Sequence, residues 1–213
     1  MQLEARRPEL REALESLDRG RVEPVFAAAL KDLPPIEMVE SLLVPVLARL
    51  GDDWCAGKVA LSQIYLTGRI CEDLVERLLP ARAQEPAARP RRAIAVLDDY
   101  HVLGKRIVLS VLRASGVAVV DYGRMQVDPL VDRVVADDLE QLLISVLMLP
   151  SALEVKKVRA ALTRRGHRVK VGVGGAPFLL DPELWREVGA DAFGRSASDA
   201  VAIVRGWSRE AAR

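Results

Sequence analysis

Cysteine and histidine are scarce in this sequence, with two of each among 213 residues. Cys55 and Cys71 form no C-x-x-C pair, which excludes a disulfide framework and fits a reducing cytosol. Both thiols read as small core hydrophobes. An excess of charge of one sign is also lacking: 31 Lys and Arg stand against 30 Asp and Glu, a formal net charge of +1. That balance argues against a nucleic-acid binder and against an acidic tail. No apolar run reaches the length of about 18 residues that a membrane-spanning helix needs. The opening MQLEARRPELREALE alternates charges and has no apolar signal core, so the expected location is cytoplasmic. What is present is apolar surface, half of all residues. That excludes disorder and supplies one large or two small domains with a real core.

The chain reads as two halves. Residues 1–79 are rich in Ala, Leu, Glu and Arg with apolar residues at helical spacing. Four helices are expected, near 5–18, 22–31, 36–50 and 59–79. Pro34-Pro35 separates the second from the third, Pro45 should kink the third, and Gly51 and Gly57 bracket the turn before the fourth. Residues 80–92, PARAQEPAARPRR, lack apolar periodicity and read as a solvated linker.

From residue 93 the pattern changes. AIAVLDD (93–99), VAVVDYG (117–123), QLLISVLML (141–149), RVKVGVGG (168–175) and DAFG (191–194) read as strands. Helices are expected at 104–116 and near 128–138, 153–165, 181–188 and 197–211. Strand–helix alternation means a parallel sheet, and apolar strands mean one covered on both faces. The expected fold class is therefore α plus α/β: a four-helix cap bundle followed by a flavodoxin-like, doubly wound, five-stranded parallel sheet. Ligands of such sheets sit beyond the carboxyl ends of the strands, at the switch in strand order.

Three segments fall there. After the first strand comes Asp99-Tyr100-His101-Val102-Leu103-Gly104. An imidazole in that loop can bind a transition metal. Asp99, two residues earlier, can accept a hydrogen bond from the other ring nitrogen and fix tautomer and orientation. Gly104 lets a bulky ligand approach the backbone. After the third strand come Ser145, Leu147 and Pro150-Ser151; after the fourth comes Gly174-Gly175. A glycine pair at a strand end offers a shelf for a flat group or a threading tail.

In this order the segments resemble the cobalamin-binding domain family, whose signature is D-x-H-x-x-G, S-x-L and G-G. The match is Asp99-His101-Gly104, Ser145-Leu147 and Gly174-Gly175. Gly104-Lys105-Arg106-Ile107-Val108 is similar to the family's G-K-N-I-V, and Gly189-Ala190-Asp191-Ala192 to its late G-A-D turn. The first half looks like the helical cap of methionine synthase and of small corrinoid proteins. Its G-x-x-W-x-x-G is Gly51, Trp54 and Gly57, with Gln63 nine residues past the Trp. The resemblance spans nearly the whole chain, from about residue 20 to the end.

The resemblance implies a bound cobalamin or related corrinoid, with His101 as axial ligand of the cobalt. Its nucleotide tail would enter a slot near Ser145, Leu147, Gly174 and Gly175. Asp99 and then Ser151 would continue a hydrogen-bonded relay behind His101. Trp54, with Gln63 in the same cap, would be an apolar lid on the reactive face. Two positions depart from the family: Leu149 stands where a Thr is usual, removing a hydroxyl from the tail slot, and Val102 where Asp is frequent. The implied function is a methyl carrier, shuttling a methyl group on cobalt between a substrate:corrinoid methyltransferase and an acceptor methyltransferase, with a reductive activator as third partner. The chain itself is read as a non-catalytic carrier subunit. A barrel that activates a methyl donor takes roughly 250 residues alone, so the chemistry belongs to cofactor and partners.

The alternative from a different class is a cobalamin-dependent sensor of light or cofactor. Such regulators carry a Glu-His pair in the cap, where this chain has Ile64 and Tyr65, and no DNA-binding module precedes the cap here. A mutase small subunit and a flavodoxin-like domain for another nucleotide are further alternatives.

Overall fold

Residues 2–78 and 91–211 are described in this computed structural model, and the chain divides into two units, Met1–Pro80 and Ala81–Arg213. In the first unit α1 (Gln2–Glu15) is followed by α2 (Arg19–Ala29). Asp18 starts α2 by accepting the Gly20 N–H at 2.8 Å. Pro34-Pro35 then opens one long helical run: α3 (Pro35–Met38), a π-helical turn (Val39–Leu43) and α4 (Val44–Cys55). Helix α5 (Leu61–Leu78) completes the four helical segments. Their shared core includes Leu10, Leu14, Phe26, Met38, Leu42, Leu50 and Cys71, each at most 2% exposed.

Two expectations change here. Pro45 does not act alone as a kink. Lacking an N–H, it cannot bond the carbonyl four residues back, that of Ser41. The run widens into the π-helical turn just before it, and Arg7 Nη2 donates to the Ser41 carbonyl at 3.1 Å. Nor does the helix end at Leu50. Gly51 lies inside α4, and only Gly57 marks the turn. Gly57, at φ +72°, donates to Trp54 O, and Lys58 donates to Asp53 O. This is a Schellman motif, in which glycine takes the left-handed position that ends the helix.

Most of the expected linker, 80–90, lies outside the described residues. Arg92, read as its end, already belongs to β1 (Arg92–Leu97). The remaining strands are β2 (Val120–Met125), β3 (Gln141–Ser145), β4 (Lys170–Gly174) and β5 (Ala192–Gly194). All pairings are parallel, in the order β2-β1-β3-β4-β5. This is the flavodoxin-like order, with its switch between β1 and β3. Helices α6 (Leu103–Ala114) and α11 (Ala197–Ala211) pack together, as do α7 (Val127–Ala136) and α8 (Leu149–Arg164). Ala93, Ala95, Leu97, Leu142, Ile144, Val171 and Val173 form the core toward α7 and α8. On the other face a Cβ added to Gly172 would meet the side chains of Leu143 and of Trp207 in α11.

Strand boundaries shift from expectation for local reasons. The third strand stops at Ser145 rather than running to Leu149, because the N–H groups of Leu147 and Met148 turn to the Asp99 carboxylate and leave the ladder. Helix α8 therefore begins at Leu149, four residues earlier than the pattern suggested. The second strand starts three residues late because Val117 N–H closes α6 on Leu112 O. The helix expected at 181–188 shortens to α10 (Leu184–Glu187), and an unexpected short helix, α9 (Ala176–Leu180), precedes it across an extended Asp181.

Candidate functional site

The signature segments of the second unit come together at the carboxyl ends of β1, β3 and β4. Asp98 ends β1 in the left-handed region, φ +43°, which Asp tolerates better than most residues. Its N–H donates to Met125 O at 3.0 Å, and its carbonyl accepts from Ser151 Oγ at 2.7 Å. This turn brings Asp99 inward, where 4% of the residue stays exposed.

Every oxygen of the Asp99 carboxylate is used. Oδ1 lies 2.6 Å from His101 Nδ1 and accepts the His101 backbone N–H at 3.0 Å. Oδ2 accepts the N–H groups of Leu147 at 2.7 Å and Met148 at 3.0 Å. Burial alone would raise the carboxyl pKa. The His101 ring and the amides of Leu147, His101 and Met148 outweigh it and hold Asp99 well below the usual carboxylate range. An ionised carboxylate only accepts, so Nδ1 carries the proton and ligation of a metal falls to Nε2. The His101 side chain is 27% exposed, enough to be reached from outside.

The expected relay is cut short. Ser151 is buried and close, but its hydroxyl donates to the backbone carbonyl of Asp98, not to the Asp99 carboxylate. Its observed work is to lock the turn that presents Asp99 and His101.

The glycines divide. A Cβ on Gly175 (φ +127°) would meet Val146 O at 1.7 Å, so the chain's own backbone demands glycine there. Gly174 pairs with Ser145 on one side and Gly194 on the other, leaving a row with one hydroxyl as its only side chain. A Cβ on Gly104 would find Ser145 Oγ at 3.3 Å and nothing else within 4 Å. Gly104, Ser145, Gly174 and Gly194 thus form a bare floor on the α6 and α11 face, a cradle that side chains would fill. Leu147 enters through its backbone N–H. Leu149 opens α8 and is 53% exposed. The cleft of about 470 Å³ lined by Gln126, Asp128, Lys157 and Arg164 lies instead between α7 and α8.

The donor set limits the metal. Among the described residues, no three His, Cys, Asp or Glu side chains gather as a metal site. One oriented imidazole suits a metal whose remaining positions a macrocycle fills. The residues present therefore fit a corrinoid, which needs one axial nitrogen and room for a tail.

In the first unit Trp54 sits half-buried in the last turn of α4. Gln63 accepts the Ala60 N–H through Oε1 at 3.0 Å and so caps α5. Gly51 costs helix stability, yet a Cβ there would meet nothing within 4 Å among the described residues. Leu61, Tyr65 and Leu66 of α5 are 45–53% exposed.

Sequence reasoning missed Asp98, Tyr100 and Arg124 around the loop, and the ion pair of Lys105 with Asp121 beside it. Lys105 was legible in principle: with Leu109 and Leu112 it shares the buried stripe of α6, and a Lys there requires a carboxylate partner.

Two family models match the chain, each described as a B12 binding domain, over residues 92–205 and 7–79. Curated relatives include the trimethylamine corrinoid protein of Methanosarcina barkeri, 29% identical over 92% of this chain and 93% of the relative. Dimethylamine corrinoid protein 3 of Methanosarcina acetivorans is 29% identical over 91% and 92%. The solved monomethylamine corrinoid protein of Methanosarcina barkeri superposes with a TM-score of 0.77 at 25% identity, covering 92% and 94% of the two chains. The resemblance read from Asp99-His101-Gly104, Ser145-Leu147 and Gly174-Gly175 is thereby borne out, and with matches in both units the chain belongs to the B12-binding domain family.

Proposed function

We propose that this chain is a corrinoid-binding methyl carrier, serving a substrate:corrinoid methyltransferase on one side and an acceptor methyltransferase on the other. The observation that carries the reading is the Asp99–His101 pair beside the bare floor of Gly104, Ser145 and Gly174. One imidazole is oriented for cobalt, and one slot is cleared for a tail. Matches to corrinoid proteins along nearly the full chain support it.

A bound corrinoid supplies a cobalt that accepts and gives up a methyl group. His101 Nε2 would hold that metal, its direction set by Asp99 at Nδ1. Ser151 holds the Asp98 turn. Gly104, Ser145, Gly174 and Gly175 take the tail. Trp54 would be the apolar shield that the cap unit offers the bound group, and Gln63 fixes the start of the helix that follows it. Relatives named for tri-, di- and monomethylamine match this chain alike, at 26–29% identity. Donor choice accordingly resides in the partner methyltransferase. A reductive activator, a cytoplasmic setting, and boundaries of 1–79 for the cap, 80–91 for the linker and 92–213 for the cofactor domain belong to the same reading. No helix among the described residues is long and apolar enough to cross a membrane.

The test is reconstitution with hydroxocobalamin, reduction to cobalt(I) by an added low-potential reductant, and methyl transfer with purified partners. A stable one-to-one coloured complex that takes methyl from a methylamine methyltransferase is expected. Cofactor lost on gel filtration at micromolar protein refutes the binding claim. Binding without methyl uptake from any such partner refutes the carrier.

A further inference from the structure

The edge strand β2 carries one residue too many. Ile94 pairs with Asp121 and Ala95 with Gly123, so Tyr122 has no partner on β1. Gly123 absorbs the bulge at φ +71°. In a regular strand Asp121 and Arg124, three residues apart, would point to opposite faces. The bulge shifts the phase, and both come to act on the side of α6. Asp121 holds Lys105 Nζ at 2.5 and 2.6 Å through its two oxygens. Arg124 Nε donates to the Asp99 carbonyl at 3.1 Å, and its guanidinium carbon lies 3.9 Å from the centroid of the Tyr100 ring. One arm grips the helix after His101. The other grips both residues before it.

Neither partner of the second arm is needed for the core. Tyr100 is 74% exposed, and Arg124 is exposed as well. The stacking leaves a large aromatic ring open to water beside the loop, held by a cation.

We propose that Arg124 is a positioning residue for His101: aimed by the bulge of β2, it clamps the Asp99 carbonyl and the Tyr100 ring and so fixes the direction from which the imidazole meets a metal. This rests on the reading of His101 as axial ligand. Asp99 is then set from two sides, its carboxylate by the amides after β3 and its carbonyl by a side chain of β2. Without Arg124 the 99–101 segment gains freedom about the end of β1. The imidazole loses direction, while the floor of the tail slot is untouched.

The experiment uses the full chain loaded with hydroxocobalamin and reduced to cobalt(II). The spin-resonance spectrum reports the fraction of cobalt with an axial nitrogen. The parent should show nitrogen splitting and His101→Ala none. Arg124→Ala should lower the ratio of nitrogen-bound to nitrogen-free cobalt about two- to fivefold, the scale of an exposed cation–π contact, with bound corrinoid per chain unchanged and the melting temperature within a few degrees of the parent's. Arg124→Lys should recover part of the loss, and Tyr100→Leu should give a smaller one. The proposal is overturned if Arg124→Ala keeps the parent's fraction, or if the fraction falls only in step with melting temperature. If His101→Ala retains the splitting, the ligand reading itself is wrong and the positioning role falls with it.

Discussion

Asp99 and Leu147 are joined across the switch in strand order: the Leu147 N–H, just past β3, donates at 2.7 Å to the carboxylate that follows β1. One side chain thus fastens the two loops between which a ligand of this fold sits, and orients His101 with its other oxygen.

Asp99→Asn removes the charge that holds the Nδ1 proton. Such outer partners are typically worth about 10–100-fold in metal affinity. Corrinoid should stay bound through its tail, while the His101–cobalt bond weakens and is lost at higher pH on acidification. Cobalt(II) spin resonance across a pH series checks this; a midpoint equal to the parent's refutes it. The carboxyl also sets an acid limit. Its folded pKa is depressed, so its stabilising effect is complete above the unfolded value of ~3.9 and is lost as pH falls below that.

Ser151→Ala separates turn from relay. The lost hydrogen bond to the Asp98 carbonyl should cost ~1 kcal/mol of unfolding free energy, measured by denaturant. Because Ser151 does not touch the Asp99 carboxylate, the acid midpoint of the His101–cobalt bond should match the parent's. A shifted midpoint restores the relay.

Gly104→Ala should move stability and binding in opposite directions. A methyl here meets only Ser145 Oγ, and alanine in a helix gains ~0.5–1 kcal/mol over glycine. The protein without cofactor should melt slightly higher. Its cobalamin affinity should fall, while its affinity for cobinamide, which lacks the nucleotide tail, holds. Equal losses for both ligands would place the tail elsewhere.

Trp54→Ala should leave corrinoid bound and speed photolysis and aerobic oxidation of the methylated form. An unchanged rate returns Trp54 to the helical unit's own packing.

Burial, helped by the neighbouring Glu72 charge, pushes the Cys71 thiol up to about 12. In a Cys55→Ser background it should resist iodoacetamide at pH 8 and react once unfolded. The raised value favours folding fully below the ordinary ~8.5, and that advantage fades as pH rises from there toward about 12. Labelling of the native protein within minutes would contradict the burial.

The fold was legible because apolar runs and helical stripes alternate without conflict from residue 93 on. The site was legible where a residue's type is itself the signal: one histidine in a loop, a bare Gly174 at a strand end. What escaped depends on register. Nothing in VDYGRM announces that Tyr122 is the extra residue, so Arg124 reads as pointing away from His101. Ser151 seemed a partner of Asp99 because spacing cannot tell a carboxylate from the carbonyl one residue earlier. Gly51 was placed in a turn because glycine usually breaks a helix, whereas Gly57, six residues later, makes the actual stop. Leu147 and Met148 looked like strand residues until the Asp99 carboxylate took their amides.

The two borders of the sheet have a consequence for company. β5 offers three residues, and β2 is interrupted by its bulge. Short and distorted borders make poor templates for strand addition, the commonest accident of exposed sheets. A protein that must meet several partners in turn gains from borders that do not stick, since each encounter can then be made, and ended, elsewhere on its surface.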